Sequence, residues 1–177
     1  MRDPDRADFT AYAAARYPAL VRSAVLLGCS LPDAEDAAQD ALVRCYVAWS
    51  RVQRADDREA YVYRVLVNGL RRSHRRRWTG ERSTADPTGE LTGATASPAA
   101  AAAGSAAELR PTLLAALGAL PEEQRQVVVL RHLADLSEHQ TATALGIPPG
   151  TVKSRAARAL ARLSEDPRLA ALVQEEE

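Results

Sequence analysis

From Glu108 onward the apolar residues fall three and four positions apart. Leu109, Leu113, Leu114 and Leu117 repeat at that interval, and Val127, Val128, Leu130 and Leu133 do so again. This period belongs to helices with one buried face. Pro121 separates the two runs, because proline cannot continue a helix but can start one. A third run, Glu138 to Leu145, follows Ser137, whose hydroxyl suits an N-cap, and it stops at Gly146, which tolerates a left-handed C-cap. Pro148 and Pro149 then open Thr151–Leu163. On a helical wheel Val152, Ala156, Ala159, Leu160 and Leu163 share one face, while Thr151, Arg155, Arg158 and Arg162 share another. Two short helices thus surround a tight turn. The second has an apolar back and a basic front, which suits a helix that seats on a core and enters a DNA major groove.

The N-terminal half carries the same period. Phe9, Tyr12, Ala13, Tyr17, Leu20, Val21, Ala24 and Leu27 predict a helix over 9–27, kinked or broken near Tyr17 by Pro18. Gly28–Pro32 predicts a turn. Asp33–Trp49 predicts a second helix, whose acidic first turn suits the helix dipole. Its inward residues are Ala38, Ala41, Leu42, Cys45, Ala48 and Trp49, which leaves Asp36, Gln39, Asp40, Val43 and Tyr46 on other faces. Arg51–Asp57 reads as a polar loop. A long helix over 58–78 follows, with Val62, Val65, Leu66, Gly69 and Leu70 as its core face and five Arg between Arg71 and Arg77.

Between the halves the pattern disappears. Ser83–Ala107 is nearly all Ala, Thr, Ser, Gly and Pro, with Leu91 as its only large apolar side chain. Such a segment buries too little surface to offset ordering entropy, so a flexible linker is expected. Its typical end-to-end span is roughly 25–30 Å. The expected architecture is all-α: two small helical domains over 1–82 and 108–166, joined by the linker 83–107 and followed by an acidic tail over 167–177. Hydrophobic residues make up 46% of the chain, much of it Ala, which favours closely packed helices.

Charge is balanced overall, with 23 Lys and Arg against 23 Asp and Glu, but it is unevenly distributed. Tyr61–Arg82 holds seven Arg against one Glu, and Thr151–Leu163 holds four cations and no acid. A phosphate backbone responds to such local potential. The tail holds Glu175–Glu177; a solvated tail is expected, and charge complementarity alone offers the alternative that it folds over the basic helix. Cys29 and Cys45 match no metal spacing and are expected to be reduced and buried. His74, His132 and His139 have no paired Cys or carboxylate constellation. No glycine-rich phosphate loop follows a strand, so neither an enzyme, a cofactor nor a metal is expected. No apolar run is long enough to span a membrane and MRDPDRADF has no signal core, so a cytoplasmic protein is expected.

These pieces in this order carry a resemblance. ALPEEQRQVVVLRHLADLSEHQTATALGIPPGTVKSRAARALARL resembles the fourth-region domain of bacterial sigma factors. DAEDAAQDALVRCYVAWSRV with AYVYRVLVNGLRRSHRRR resembles their second-region domain. Direct linkage of the two is similar to the extracytoplasmic-function group of the sigma-70 family, and AYVYRVLVN resembles an actinobacterial sigma-E-like subgroup. The resemblance implies a subunit that binds core RNA polymerase and directs it to promoter DNA, with an anti-sigma factor as a possible further partner. It implies polymerase docking by Asp36, Gln39, Asp40, Val43, Arg44 and Tyr46. It implies contact with the downstream promoter element by Arg51, Gln53, Arg54, Tyr61, Arg64, Asn68, Arg71, Arg72 and Arg75. Tyr61, Tyr63 and Trp78 offer rings for an unstacked base. For the upstream element it implies Thr151, Lys153, Ser154, Arg155, Arg158 and Arg162, the early residues at base edges and the later Arg at phosphates. Thr141 stands where the family carries an aliphatic residue, and Pro148 where a capping Ser is common, so a weaker C-terminal domain is expected. A stand-alone helix-turn-helix regulator is the alternative reading, and it would leave Asp33–Arg77 without a role.

Overall fold

The N-terminal unit rests on two long helices packed side by side, α1 (Asp3–Leu26) and α2 (Leu31–Val47). The computed structural model describes residues 3–78 and 104–174, with side chains for 5–75 and 111–170. α1 begins ahead of the expected Phe9 and runs through Pro18 as one element, so the expected break is absent. Leu20 and Ala24 are buried on it, and Leu27, just past its end, is buried as well. The turn at Gly28 takes φ 104°, a left-handed conformation suited to glycine. Ser30 caps α2, and its Oγ accepts from the Asp33 N–H at 3.3 Å, so the helix starts earlier than Asp33 alone suggests.

The first residues of the expected polar loop Arg51–Asp57 belong instead to a short helix, α3 (Trp49–Gln53), which takes Trp49 from the end of the expected second helix. Trp49 and Val52 are buried on it, so tertiary burial overrides the polar neighbours. Phe9 meets Trp49 edge-on at 5.1 Å, and the Arg58 guanidinium stacks over the same indole at 5.1 Å. α4 (Arg58–Trp78) spans the expected residues and packs across α1 and α2. Tyr63, offered above as a ring for DNA, is instead core. It is 1% exposed, with its hydroxyl 3.2 Å from Ser23 Oγ.

The C-terminal unit comprises α5 (Gly104–Ala119), α6 (Glu122–Val128), α7 (Glu138–Leu145), α8 (Pro149–Ser164) and α9 (Pro167–Gln174). α5 starts inside the expected linker, most of which lies outside the described residues. α6 continues into a π-helical turn, Val129–Leu133. Ser137 and Gln140 form a reciprocal capping box on α7, and Gly146 ends it at φ 68°, in the left-handed cap. α8 starts after Pro148, which supplies no side-chain cap. Of the expected apolar back of α8, Val152 and Ala159 are buried, but Leu160 is 44% exposed. The segment expected as a tail forms α9, which packs on α5 and α8. Glu175–Glu177, and with them the fold-over alternative, lie outside the described residues.

The two units pack against each other. α7 lies along α4, and the π-helical turn meets α1. One continuous cluster of buried side chains runs from Leu20 and Leu66 to Leu130, Leu145 and Ala159.

Candidate nucleic-acid and polymerase interface

Three helix faces collect the polar and charged residues singled out above. On α2 the small residues Ala34, Ala38, Ala41 and Cys45 are buried against the core. The opposite face therefore points outward. Asp36, Gln39, Asp40 and Arg44 are exposed there, with Val43 at 60% and Tyr46 at 38%. Phe9 steadies the Tyr46 ring edge-on at 4.9 Å. Val47 was not singled out from the sequence, yet it is 82% exposed on this same face. It lies four residues after Val43 and a further turn beyond Asp40, which is the signal that places it there. Val43 and Val47 thus form a small exposed apolar strip on an otherwise polar face.

On α4, Tyr61, Arg64, Asn68, Arg71, Arg72 and Arg75 fall within one arc of the helix. Arg64, Asn68, Arg72 and Arg75 are exposed, and Tyr61 is half-buried against the core. Arg71 is not free: its Nη2 donates to Gln126 Oε1 at 2.7 Å. Asn68, Arg71, Arg72, His74 and Arg75 line an open groove whose far wall is Glu122 of α6. Arg51, Gln53 and Arg54 lie apart from this arc in the chain, on and just after α3. Gln53 Nε2 donates to Asp8 Oδ2 at 2.9 Å, which ties it to α1, while Arg51 and Arg54 are exposed. The side chain of Trp78 lies outside the described residues.

On α8, Thr151, Arg155, Arg158 and Arg162 share a face, with Arg158 and Arg162 exposed. Lys153 is exposed on another side of the helix, next to Leu160. Ser154 Oγ donates to the Thr151 carbonyl at 3.2 Å. Arg155 is the least accessible cation of the face. Its side chain is 22% exposed, and Nη2 lies 2.6 Å from Glu123 Oε2 on α6. Neither Glu123 nor Gln126 was singled out from the sequence, because each acts on a residue far along the chain.

Burial pushes the Tyr63 hydroxyl above its ordinary range, and burial followed by the Glu59 carboxylate does the same for Tyr12. Burial raises the Cys45 thiol to about 11. These groups are structural, and none faces the three surfaces. Among the described residues no cluster of His, Cys, Asp and Glu could hold a metal ion, and no helix is long and apolar enough to cross a membrane.

Residues 13–79 match the family model described as Sigma-70 region 2, and residues 111–163 match that of Sigma-70, region 4. The RNA polymerase sigma-E factor of Streptomyces coelicolor is 38% identical over 159 residues, covering 90% of this chain and 85% of that protein. The extracytoplasmic-function sigma factor EcfG of Rhodopseudomonas palustris is 30% identical, covering 85% and 80%. Among solved structures, the sigma factor RpoE of Bartonella quintana in complex with the anti-sigma factor NepR superposes with a TM-score of 0.70 at 23% identity, over 96% of this chain and 99% of that one. CnrH in complex with the cytosolic domain of CnrY gives 0.65 at 24%, over 97% and 91%. The region 2 match accounts for the half of the chain that a stand-alone regulator would leave without a role. With both regions matched, in order, within one chain, the protein belongs to the extracytoplasmic-function sigma factors of the sigma-70 family and has sigma-E-like relatives.

Proposed function

We infer that this sigma factor binds core RNA polymerase through the outer face of α2 and carries it to promoters through two DNA-facing helices. α4 holds the melted downstream element, and α8 reads the upstream element. The observation that carries the reading is the apolar strip on α2, where Val43 and Val47 stand 60% and 82% exposed among Asp36, Asp40 and Arg44. Water does not favour such a strip, whereas a partner protein covers it. The cations of α4 and α8 then supply phosphate contacts, and Tyr61 supplies a surface beside an unstacked base. The protein acts with the polymerase in the cytoplasm and performs no chemistry of its own. An anti-sigma factor is a natural further partner, since two solved relatives of this fold are held by one or by a protein's cytosolic domain.

In vitro transcription from genomic promoter fragments with purified core polymerase tests the function. Initiation at a defined set of promoters is expected only when the protein is added. A folded protein that confers initiation on no fragment would sink the reading. Co-purification from native cells tests the partners, with polymerase expected in one pool and any inhibitor in another.

A further inference from the structure

We propose that Asp8, near the start of α1, is a positioning residue for the downstream promoter element: it ties together the two flanks of the loop Arg54–Asp57 and so fixes how that loop meets the bases. One carboxylate takes both flanks. Gln53 Nε2, at the end of α3, donates to Asp8 Oδ2 at 2.9 Å. Arg58, at the start of α4, sets its Nη1 3.6 Å from Asp8 Oδ1. The loop between these two partners therefore leaves and returns to a single point. Arg54 and Asp56 stand exposed on it. Asp57 closes it, because its Oδ1 accepts from the Ala60 N–H at 2.9 Å and caps the first turn of α4.

The rest of α1 holds Asp8 in register. Asp8, Tyr12 and Arg16 recur every fourth residue and share a face of the helix. The Tyr12 hydroxyl donates to Glu59 Oε2 at 3.2 Å, and Arg16 Nε lies 3.1 Å from the same oxygen. The acid of α1 thus meets Arg58 and the base of α1 meets Glu59, so sliding α1 along α4 would set like charges against each other. Arg58 is itself held by rings, with its guanidinium 5.6 Å from the Tyr12 centroid and 5.1 Å from that of Trp49. The Arg58 and Asp8 side chains are 37% and 42% exposed, so their pairing adds little stability. What it supplies is geometry. It also offsets the negative charge that Asp8 would otherwise turn toward a phosphate. Asp8 precedes residues 13–79, so the region 2 match does not assign it a role.

The clamp stands on geometry alone; its effect on base choice rests on the sigma-factor reading. Hydrogen exchange over residues 51–57 of the free full chain tests the first, and transcription with core polymerase tests the second. Asp8→Ala removes both contacts. It is expected to speed exchange over 51–57 and to leave exchange over 20–27 and the melting midpoint unchanged. Transcription compares a promoter that the parent uses with its single-base-pair variants in the downstream and upstream elements. Where such a change costs the parent about tenfold, Asp8→Ala is expected to cut that ratio about threefold at downstream positions and to keep it at upstream ones. Asp8→Glu, which keeps a carboxylate, is expected to restore most of the ratio. If circular dichroism shows that Asp8→Ala has lost helix, Asp8→Asn, which keeps the shape and drops the charge facing Arg58, decides with a smaller effect of the same sign. Exchange no faster than in the parent would overturn the clamp. Faster exchange with downstream ratios unchanged, or with upstream ratios falling equally, would overturn the positioning role. A parent that initiates from no promoter marks instead a failure of the sigma-factor reading; the effect on base choice falls with it, and exchange still decides the clamp.

Discussion

Thr141 is the residue whose environment disagrees most with its chemistry. It is fully buried on α7, and its hydroxyl has no hydrogen-bond partner. Such a group costs about 1–3 kcal/mol. Thr141→Val should therefore stabilise the protein by about 1 kcal/mol, read as a rise in the midpoint of thermal unfolding; an unchanged or lowered midpoint would mean that the hydroxyl is satisfied. Arg155 presents a different case, because Glu123 holds one of its nitrogens and leaves its other donors available. Arg155→Ala should cost about 1–3 kcal/mol of discrimination at one upstream base pair if the remaining donors read a base. Titrating a set of single-base-pair promoter variants checks this. A uniform loss across the set would assign Arg155 to phosphate instead. Cys45 gives a pH dependence. Its thiol is raised from 9.0 to about 11 by burial. Below pH 9 neither folded nor unfolded chain ionises it, so its contribution is constant. Above pH 9 the unfolded thiol ionises first, and stability falls as pH rises toward 11. Tyr12 and Tyr63 are shifted upward as well, so their effect has the same sign at still higher pH. Thermal melts between pH 7 and 11 should be flat at first and decline above 9, and Cys45→Ala should remove the earliest part of the decline.

At the scale of elements, α2 carries the sharpest prediction, because its two faces have separate duties. Ala38, Ala41 and Cys45 hold it to the core, while Val43 and Val47 stand largely exposed on the other side. Val47→Glu should leave the melting midpoint unchanged and weaken core-polymerase binding by more than about 1 kcal/mol, as expected for an apolar anchor. Competition against the parent protein for a limited amount of core polymerase measures it, and equal competition would remove Val47 from the interface. The same helix shows what a one-dimensional reading reveals. Apolar period and capping residues are local signals, so α2, α4, α7 and α8 are legible from the chain alone. α3 is not, because a five-residue helix with Arg51 and Gln53 has no period, and only the burial of Trp49 and Val52 holds it. α9 is short and lies between Glu165–Asp166 and Glu175–Glu177, so it does not stand out. Tyr63 looks like a DNA-facing ring until Ser23, 40 residues away in the chain, places it in the core. The basic arcs of α4 and α8 follow from helical spacing, whereas the partners of Arg71 and Arg155 do not. Gln126 lies 55 residues from Arg71, and no local pattern joins them.

The two units share one buried core, and the heat unfolding of the protein should reveal this. Each matched region, 13–79 and 111–163, is small, and a unit of that size buries a modest share of the surface its unfolded chain exposes. Here a single cluster of buried side chains extends through both. α7 leans on α4, so α7 with its unsatisfied Thr141 gains support from outside its own unit. Loss of either unit would expose the apolar side of the other, which couples the two transitions. Calorimetry on the parent chain should therefore give one cooperative endotherm, with calorimetric and van't Hoff enthalpies in agreement. Gln126→Met weakens the junction and leaves each helix intact, so its trace should resolve into two steps, the C-terminal unit melting first because it carries the unsatisfied hydroxyl. Two independent steps already present in the parent would mean that the shared cluster lends no stability across the junction. A single step in both proteins would mean that the apolar contacts of α4 and α7 hold the units without Arg71 and Gln126.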